Sequence, residues 1–414
     1  HGIAPFNDGV YRMAIEAGID IVPVYLHIPR SVNSLEGFTY KSGTIRVELL
    51  PAIDTSTWTL DKLAQHVNSV REVFITRFNE AHGVADERAT TEASRERGSG
   101  VDANETISAR YAASNIRALA YLIVPVLLAV SGVWLTLETS MWYGWLFGQC
   151  VLGVFFFQCF ILLHEAGHQS FFKSKWMNRC LGHVCGLLSL IPLQSWEAIH
   201  ALHHKWTGWR DKDPTTEATV APNFGPLLRG VVNFTWRVGF PLFTLAYRAG
   251  NYWSLAKLRR FLPPSTVKAI VVNQLTIGVV IVIAIAMWGE WMLVNLGIAY
   301  LVSLVISDVF ILSQHSHIDI PIANGDDVLP IGYAKQVPYT RSLRINRALA
   351  RVMLLNFNMH EMHHSRPGIP AYHLDRIPED MPNTRPFWQF VYRSRRMSGV
   401  DFVFSTTRKS GVEL

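Results

Sequence analysis

Four uncharged apolar segments constrain the fold of this chain more than any other feature. They cover residues 118–137, 141–163, 269–289 and 291–307. The first two have 20 and 23 residues, and a helix of that length can cross the ~30 Å hydrocarbon core of a membrane. Only residues 138–140 separate the first pair, and only Glu290 separates the second. The sequence therefore predicts a mainly helical integral membrane protein with four spanning helices arranged as two hairpins.

The distribution of charge predicts how these helices are oriented. Both short connections contain Glu and neither Lys nor Arg, whereas basic residues flank the opposite helix ends, which the positive-inside rule assigns to the cytoplasm. These basic residues are Arg110, Arg117, Lys173, Lys175, Arg179, Arg210, Lys212, Arg259, Arg260, Lys268, Arg341 and Arg344. The apolar stretch 181–196 has only 16 residues, so we expect it to be re-entrant or interfacial.

The N-terminal part of the chain has a different character. Residues 1–83 alternate helix-like and strand-like patterns, which predicts a small soluble α/β domain. Residues 84–112 are charged, rich in Ser and Thr and poor in large apolar side chains, so they are predicted to be a flexible linker. The net charge of +6 suits nucleic acid or anionic lipid, and the apolar segments favour lipid.

Histidines are concentrated in four groups, which contain ten of the 16 in the chain. The groups are His164 and His168; His200, His203 and His204; His315 and His317; and His360, His363 and His364. On a helix, positions i, i+3 and i+4 share one face, so each triplet can direct its imidazoles at one point. The predicted topology brings all four groups to the cytoplasmic side. Ten ligands are too many for one tetrahedral zinc, and they suit two metal ions such as iron.

The motifs HEAGH, HALHH and HEMHH, in this order, resemble the three histidine boxes of the membrane fatty acid desaturase family. The resemblance extends over residues 113–385, and SQHSH resembles a further ligand segment of that family. It implies a desaturase domain at 113–414, with four membrane helices and a cytoplasmic cap that carries the metal site. It also implies a di-iron enzyme that uses O2 to remove two hydrogens from a fatty acyl chain.

The resemblance further implies the residues and partners of the site. The ligands carried over are the eight box histidines and His315, with His317 as a tenth candidate. Glu165, Asp211, Asp213 and Glu361 are expected to accept hydrogen bonds from ligand imidazoles. The three residues between His164 and His168 favour a lipid-bound acyl substrate. The sequence contains no haem-binding His-Pro-Gly-Gly segment, so a separate ferredoxin or a cytochrome b5-like protein with its reductase is the expected electron donor. The expected location is a bacterial inner membrane, with the site facing the cytoplasm.

A second resemblance concerns residues 1–83. The stretches APFNDGVYRMAIEAGIDIVPVYL and VELLPAIDTSTWTLDKLAQHVNSVREVF look like the C-terminal half of a glycerolipid acyltransferase domain. Catalysis in such domains needs a His with an Asp five residues later, and this chain contains no such pair. Acyltransferase activity is therefore not expected, and a truncated fusion partner accounts for the segment.

Three other functions fit part of the pattern. A hydroxylase or ketolase acting on a lipid or carotenoid would use the same di-iron chemistry. An intramembrane zinc protease would use His164, His168 and Glu165 as an H-E-x-x-H motif, with Asp308 as its third ligand. It would leave the other eight clustered histidines without a role. A non-catalytic lipid-binding scaffold would explain none of them.

Overall fold

The computed structural model describes residues 6, 8–27, 43–82, 107, 110–220 and 224–414. The chain forms two compact units, residues 1–101 and 102–414. Almost all of the predicted linker 84–112 lies outside the described residues.

Where the structure describes it, the first unit contains two helices and a two-stranded sheet. Its elements are α1 (Gly9–Ala17), β1 (Val24–His27), β2 (Arg46–Leu49), a 3-10 turn (Leu60–Lys62) and α2 (Leu63–His82). The strands are antiparallel, with Val24 opposite Leu49. Helix α1 ends at Gly18, whose φ of +62° is the left-handed conformation that glycine adopts without strain.

The second unit is built on long apolar helices. Its first elements are α3 (Asn115–Glu138), α4 (Trp142–Gly167), α5 (Lys175–Ser189), α6 (Leu193–Trp206), α7 (Pro226–Val238), α8 (Leu242–Arg248), α9 (Leu255–Phe261) and α10 (Pro264–His315). A π-helical turn, Ala249–Trp253, joins α8 to the residue before α9. Within the described residues, α3, α4 and α10 are long and apolar enough to cross a membrane.

Helix α10 covers both segments of the second predicted hairpin and is broken at Trp288, where φ is −136° and ψ is 18°. Gln274 Nε2 donates to the Tyr252 carbonyl at 2.8 Å, and Arg248 Nη1 donates to Tyr300 Oη at 3.2 Å. In a straight helix, residues 274 and 300 would be ~39 Å apart. Since residues 248 and 252 are adjacent on one helical face, the two arms of α10 must fold back on each other. The chain therefore turns at Trp288, two residues before the predicted turn at Glu290.

The stretch 181–196 is divided between α5 and α6 rather than forming one helix. Leu190 takes a left-handed conformation with φ of +56°, and α6 begins after Pro192. Both helices pack against α4, where a Cβ atom at Gly167 would clash with the Trp196 indole ring. This close approach places the end of α4 directly against α6.

The remaining residues form short elements that pack on one end of the long helices. They are β3 (Leu343–Arg344), α11 (Arg347–Met353), α12 (His360–Ser365), α13 (Ala371–Leu374), β4 (Arg385–Pro386), α14 (Phe387–Arg396), α15 (Gly399–Phe404) and α16 (Thr407–Ser410). Strands β3 and β4 pair in parallel. The main apolar core joins these elements to the long helices, for example through Phe310 of α10 and Phe387 of α14, whose ring centroids are 5.8 Å apart. The mainly helical fold agrees with the prediction.

Candidate metal centre

Helix ends bring the histidine motifs together. His164 lies in the last turn of α4, and His168 follows its last residue. His200, His203 and His204 lie in the second half of α6, and His315 is the last residue of α10. Helix α12 carries His360, His363 and His364.

Eight of these side chains form two groups that could each hold a metal ion. One group is His164, His168, His200 and His363, and the other is His203, His315, His360 and His364. In each group, the candidate ligand atoms lie within 4.8 Å of one another. His204 adjoins the first group, because its Nε2 lies 3.0 Å from His200 Nε2 and 3.1 Å from His363 Nε2. Nine histidines therefore meet at one place.

The free nitrogen atoms of these rings fit a cation. Nε2 of His164, His168 and His364 is buried with no hydrogen-bond partner, an arrangement that costs free energy unless the lone pair is otherwise used. His315 Nε2 and His360 Nε2 lie only 2.8 Å apart. Two such nitrogen atoms can each donate a lone pair to a shared ion. The donor set therefore suits metals that imidazole ligates, iron among them.

Burial keeps several of these rings neutral. It lowers the pKa of five of them well below the ordinary value of histidine, and the neighbouring imidazoles lower it further. These five are His200, His204, His360, His363 and His364. A neutral imidazole retains the lone pair that metal ligation needs.

Acceptors around the cluster fix the orientation of individual rings. Asp213 Oδ2 lies 2.7 Å from His203 Nδ1, and Glu165 Oε1 lies 3.1 Å from His164 Nδ1. An Nδ1–H that donates to a carboxylate leaves Nε2 as the free lone pair. Asp213 and Glu165 therefore take the positions expected of them.

Two other predicted acceptors, Asp211 and Glu361, bond to groups other than the ligand imidazoles. Asp211 accepts hydrogen bonds from the backbone N–H groups of Ala323 and Asn324. Glu361 accepts from backbone or hydroxyl groups of Ser342, Asn383 and Thr384. Both carboxylates thus stabilise loops rather than ligand rings.

His317 also turns away from the cluster. Its backbone φ is +60°, its Nδ1 lies 3.2 Å from the Asp401 carbonyl oxygen, and its Nε2 lies 2.7 Å from Ser410 Oγ. Both ring nitrogens are occupied, and among the described residues His317 belongs to neither group. The structure therefore does not support His317 as a ligand.

Sequence reasoning missed Gln336, which is fully buried. Its Nε2 donates to the His204 carbonyl at 2.7 Å, and its Oε1 lies 2.9 Å from His364 Nδ1. His315 Nδ1 similarly lies 3.0 Å from the backbone carbonyl oxygen of Tyr339. Neither contact has a sequence signal, because one uses an isolated amide and the other a main-chain atom.

A cavity of about 260 Å³ adjoins one side of the cluster. Four of the nine histidines line it: His164, His200, His203 and His315. Its other walls include apolar side chains such as Phe160, Phe243 and Phe357. An apolar ligand in this cavity would lie against the candidate metal ligands.

Comparison with known proteins gives the family. The fatty acid desaturase family matches residues 140–396. The chain therefore belongs to the fatty acid desaturase family, and the prediction from its three histidine motifs is confirmed. Members of this family are oxidoreductases, so the chain is classed as an enzyme of lipid metabolism.

Curated relatives give the same result. The chain is 26% identical to an sn-1 acyl-lipid omega-3 desaturase (ferredoxin) of Nostoc, over 58% of this chain and 71% of the relative. It is 26% identical to an endoplasmic reticulum omega-3 fatty acid desaturase of Vigna radiata, over 63% and 70%. It is 24% identical to an endoplasmic reticulum acyl-lipid omega-3 desaturase (cytochrome b5) of Arabidopsis thaliana, over 63% and 69%.

The geometry of the cluster does not favour an intramembrane zinc protease. His164 and His168 meet seven further histidines instead of a single acidic ligand. Asp308 Oδ1 accepts a hydrogen bond from the backbone N–H of Thr244 at 2.7 Å, and among the described residues it belongs to neither metal group.

Proposed function

We propose that the nine clustered histidines hold two iron ions, and that this centre uses O2 to desaturate the fatty acyl chain of a membrane lipid. The observation that carries the proposal is the pair of four-histidine groups beside an apolar cavity. Each group has enough nitrogen ligands for one ion, and a single ion could not bind all nine histidines.

The ligands divide between the two ions according to the distances given above. His164, His168, His200, His204 and His363 would hold one ion, and His203, His315, His360 and His364 the other. When bound, the iron supplies the oxidising power that cleaves an unactivated C–H bond, which acid–base side chains cannot do. Asp213, Glu165 and Gln336 keep the imidazoles oriented, and Glu165 also accepts from the Ala371 N–H, which ties α4 to α13.

The cavity would hold the acyl chain and exclude water from it. Phe160, Trp196 and Phe357 line the cavity together with His164 and His200. Trp196 and Phe357 also contact the His164 ring, with centroids 5.2 and 5.3 Å away. Apolar side chains bind a chain without polar groups through burial alone. The ligands facing the cavity thus define where along the chain the reaction occurs.

The substrate we favour is an acyl chain esterified in a lipid. The curated relatives named above include two acyl-lipid desaturases, and the three-residue spacing in the first histidine motif agrees with that class. The names of these two relatives also include ferredoxin and cytochrome b5, which supports an external one-electron donor for this chain.

In the proposed topology, α3, α4 and the two arms of α10 cross the membrane. The metal ligands of α4 and α10 lie at the final residues of those helices, so the centre would lie at one membrane face. The charge distribution assigns that face to the cytoplasm, and the location proposed is a bacterial inner membrane. The desaturase domain would be residues 113–414, preceded by the acyltransferase-like segment 1–83 and the linker 84–112.

Metal analysis of the purified chain tests the proposal most directly. We expect about two irons per chain in the wild type, and a loss of iron and activity in His204→Ala. His183→Ala is the matched control, because His183 is exposed and lies outside both groups. One zinc per chain, with no iron, would contradict the proposal.

Product analysis distinguishes desaturation from related chemistry. The wild-type chain is expressed in a host supplied with defined phospholipids, and the acyl chains are then analysed by mass spectrometry. A loss of two mass units indicates desaturation. A gain of sixteen units, with two irons bound, would instead assign the chain as a hydroxylase.

A further inference from the structure

The metal cluster has a second face that does not line the acyl cavity. His204 does not line that cavity, and its ring centroid lies 6.2 Å from the ring of Tyr333. Tyr333 begins a 3-10 turn, Tyr333–Lys335, and is 50% exposed. This turn therefore lies between the cluster and the solvent.

The turn is attached to both ligand groups through the residue that follows it. Gln336 donates to the carbonyl of His204, which adjoins the first group, and its Oε1 meets the Nδ1 atom of His364, in the second. A buried side-chain amide with both ends bonded fixes the position of its backbone. The turn that carries Tyr333 is therefore anchored to the metal cluster by the hydrogen bonds of Gln336.

Tyr333 is distinctive among the ring neighbours of the nine histidines. Besides one another, the described rings that contact them are Trp196, Phe357 and Tyr333. Trp196 and Phe357 are buried, and only Tyr333 is exposed. Within the part of the chain that the structure describes, Tyr333 is thus the only aromatic side chain that joins a candidate ligand directly to the surface.

Two exposed lysines adjoin Tyr333 or its ring neighbour His204 in the sequence. Lys335 ends the same 3-10 turn, and Lys205 follows His204 on α6. The Lys205 ammonium lies over the Trp206 ring, 5.2 Å from its centroid. Asp326 and Asp327 are also exposed, on the loop upstream of the turn.

The proposed reaction requires electrons from outside the chain. Removing two hydrogen atoms from the acyl chain and reducing O2 to two water molecules consumes two further electrons and two protons. A one-electron carrier must therefore deliver one electron twice. The carrier must also come close to the metal ligands without blocking the acyl cavity.

We propose that Tyr333, Lys335 and Lys205 form the docking surface for a small acidic one-electron carrier protein, and that Tyr333 positions the carrier's redox group next to His204. This inference rests on the proposed function. Acidic side chains of the carrier meet Lys335 and Lys205, which raises the rate of encounter. The acyl cavity stays open to lipid because it is lined by other ligands.

Binding to the purified, metal-loaded full chain tests the surface independently of turnover. The probe is oxidised plant-type ferredoxin, with the soluble domain of cytochrome b5 as a second acidic carrier and basic cytochrome c as the negative control. In low salt, Lys335→Glu is expected to raise the dissociation constant for ferredoxin about tenfold, and salt should weaken wild-type binding. Lys409→Glu makes the same charge change on α16 and should leave the constant unchanged.

Turnover provides the second readout. For each variant, the ferredoxin-driven rate is divided by the rate driven by dithionite, which needs no docking surface. We expect this ratio to fall about tenfold in Lys335→Glu and to fall in Tyr333→Leu, with Tyr333→Phe retaining most of it because the ring remains. An unchanged dissociation constant and ratio in Lys335→Glu, with normal desaturation, would overturn the docking surface and leave the proposed function intact. Ferredoxin binding that depends on Lys335, in a chain that desaturates no lipid, would support the docking surface and overturn the proposed function.

Discussion

The hydrogen bond between Asp213 and His203 leads to a sharp prediction for the variant Asp213→Asn. In the wild type, Asp213 Oδ1 accepts from the Thr215 N–H at 2.8 Å and from Thr215 Oγ1 at 2.9 Å, while Oδ2 faces His203 Nδ1 at 2.7 Å. An asparagine keeps its one oxygen for the two Thr215 donors. Its NH2 group then faces His203 Nδ1.

That arrangement forces the wrong tautomer of His203. Nδ1 must accept from the new NH2 group, so the ring proton moves to Nε2, the nitrogen that would bind the second ion. Loss of such a supporting hydrogen bond costs about tenfold to a hundredfold in metal affinity, which corresponds to ~1.4–2.7 kcal/mol. The effect should be confined to the ion held by His203, His315, His360 and His364.

Anaerobic titration with Fe(II) in the presence of a competing chelator measures this effect. The wild type should bind two ions, and Asp213→Asn should bind one with unchanged affinity and the other more weakly. Asp211→Asn is the control, because Asp211 bonds to the backbone of residues 323 and 324 and not to a ligand ring. If Asp213→Asn bound both ions as tightly as the wild type, the reasoning about the tautomer would be refuted.

Three further predictions concern stability and domain structure. The metal-free protein should lose stability as the pH falls below about 6.5, because His200, His204, His360, His363 and His364 have lowered pKa values and protonate more readily in the unfolded chain. Each can contribute up to ~1.4 kcal/mol per pH unit, so thermal unfolding from pH 5.5 to 7.5 should show a steep loss that a flat profile would contradict. Gly167→Ala should lower the unfolding free energy by about 1–3 kcal/mol through the clash with Trp196, whereas Gly278→Ala, where a Cβ meets nothing within 4 Å, should be nearly neutral in the same melting assay. Deletion of residues 1–101 should leave iron content unchanged, since the nine histidines all lie in the second unit; a chain that loses its iron would show that the two units depend on each other.

The histidine motifs and the apolar helices could be predicted because each depends on short-range order. A helix places residues i, i+3 and i+4 on one face whatever lies around it, so the convergence of HALHH and HEMHH was visible in the sequence. The spanning lengths of α3 and α4 likewise depend only on composition. The family match followed from the order of the motifs.

Residues outside helices could not be assigned in this way. His315 and His317 are two positions apart, yet the backbone turns to a positive φ at His317 and directs its ring towards Ser410. Asp211 and Asp213 flank one lysine, but only Asp213 reaches a ligand. Such outcomes depend on loop contacts between residues more than 80 positions apart, and no local pattern encodes them.

The break at Trp288 has a consequence for how the lipid bilayer acts on the enzyme. The second arm of α10 ends on His315, and α4 ends at the His164 and His168 pair, so the proposed membrane anchors are also the supports of the metal ligands. Hydrophobic mismatch tilts or shifts such helices. A thicker or thinner bilayer would then displace ligands of both ions relative to α6 and α12. The acyl chain length of the surrounding lipid would therefore alter the geometry of the centre that modifies those same chains.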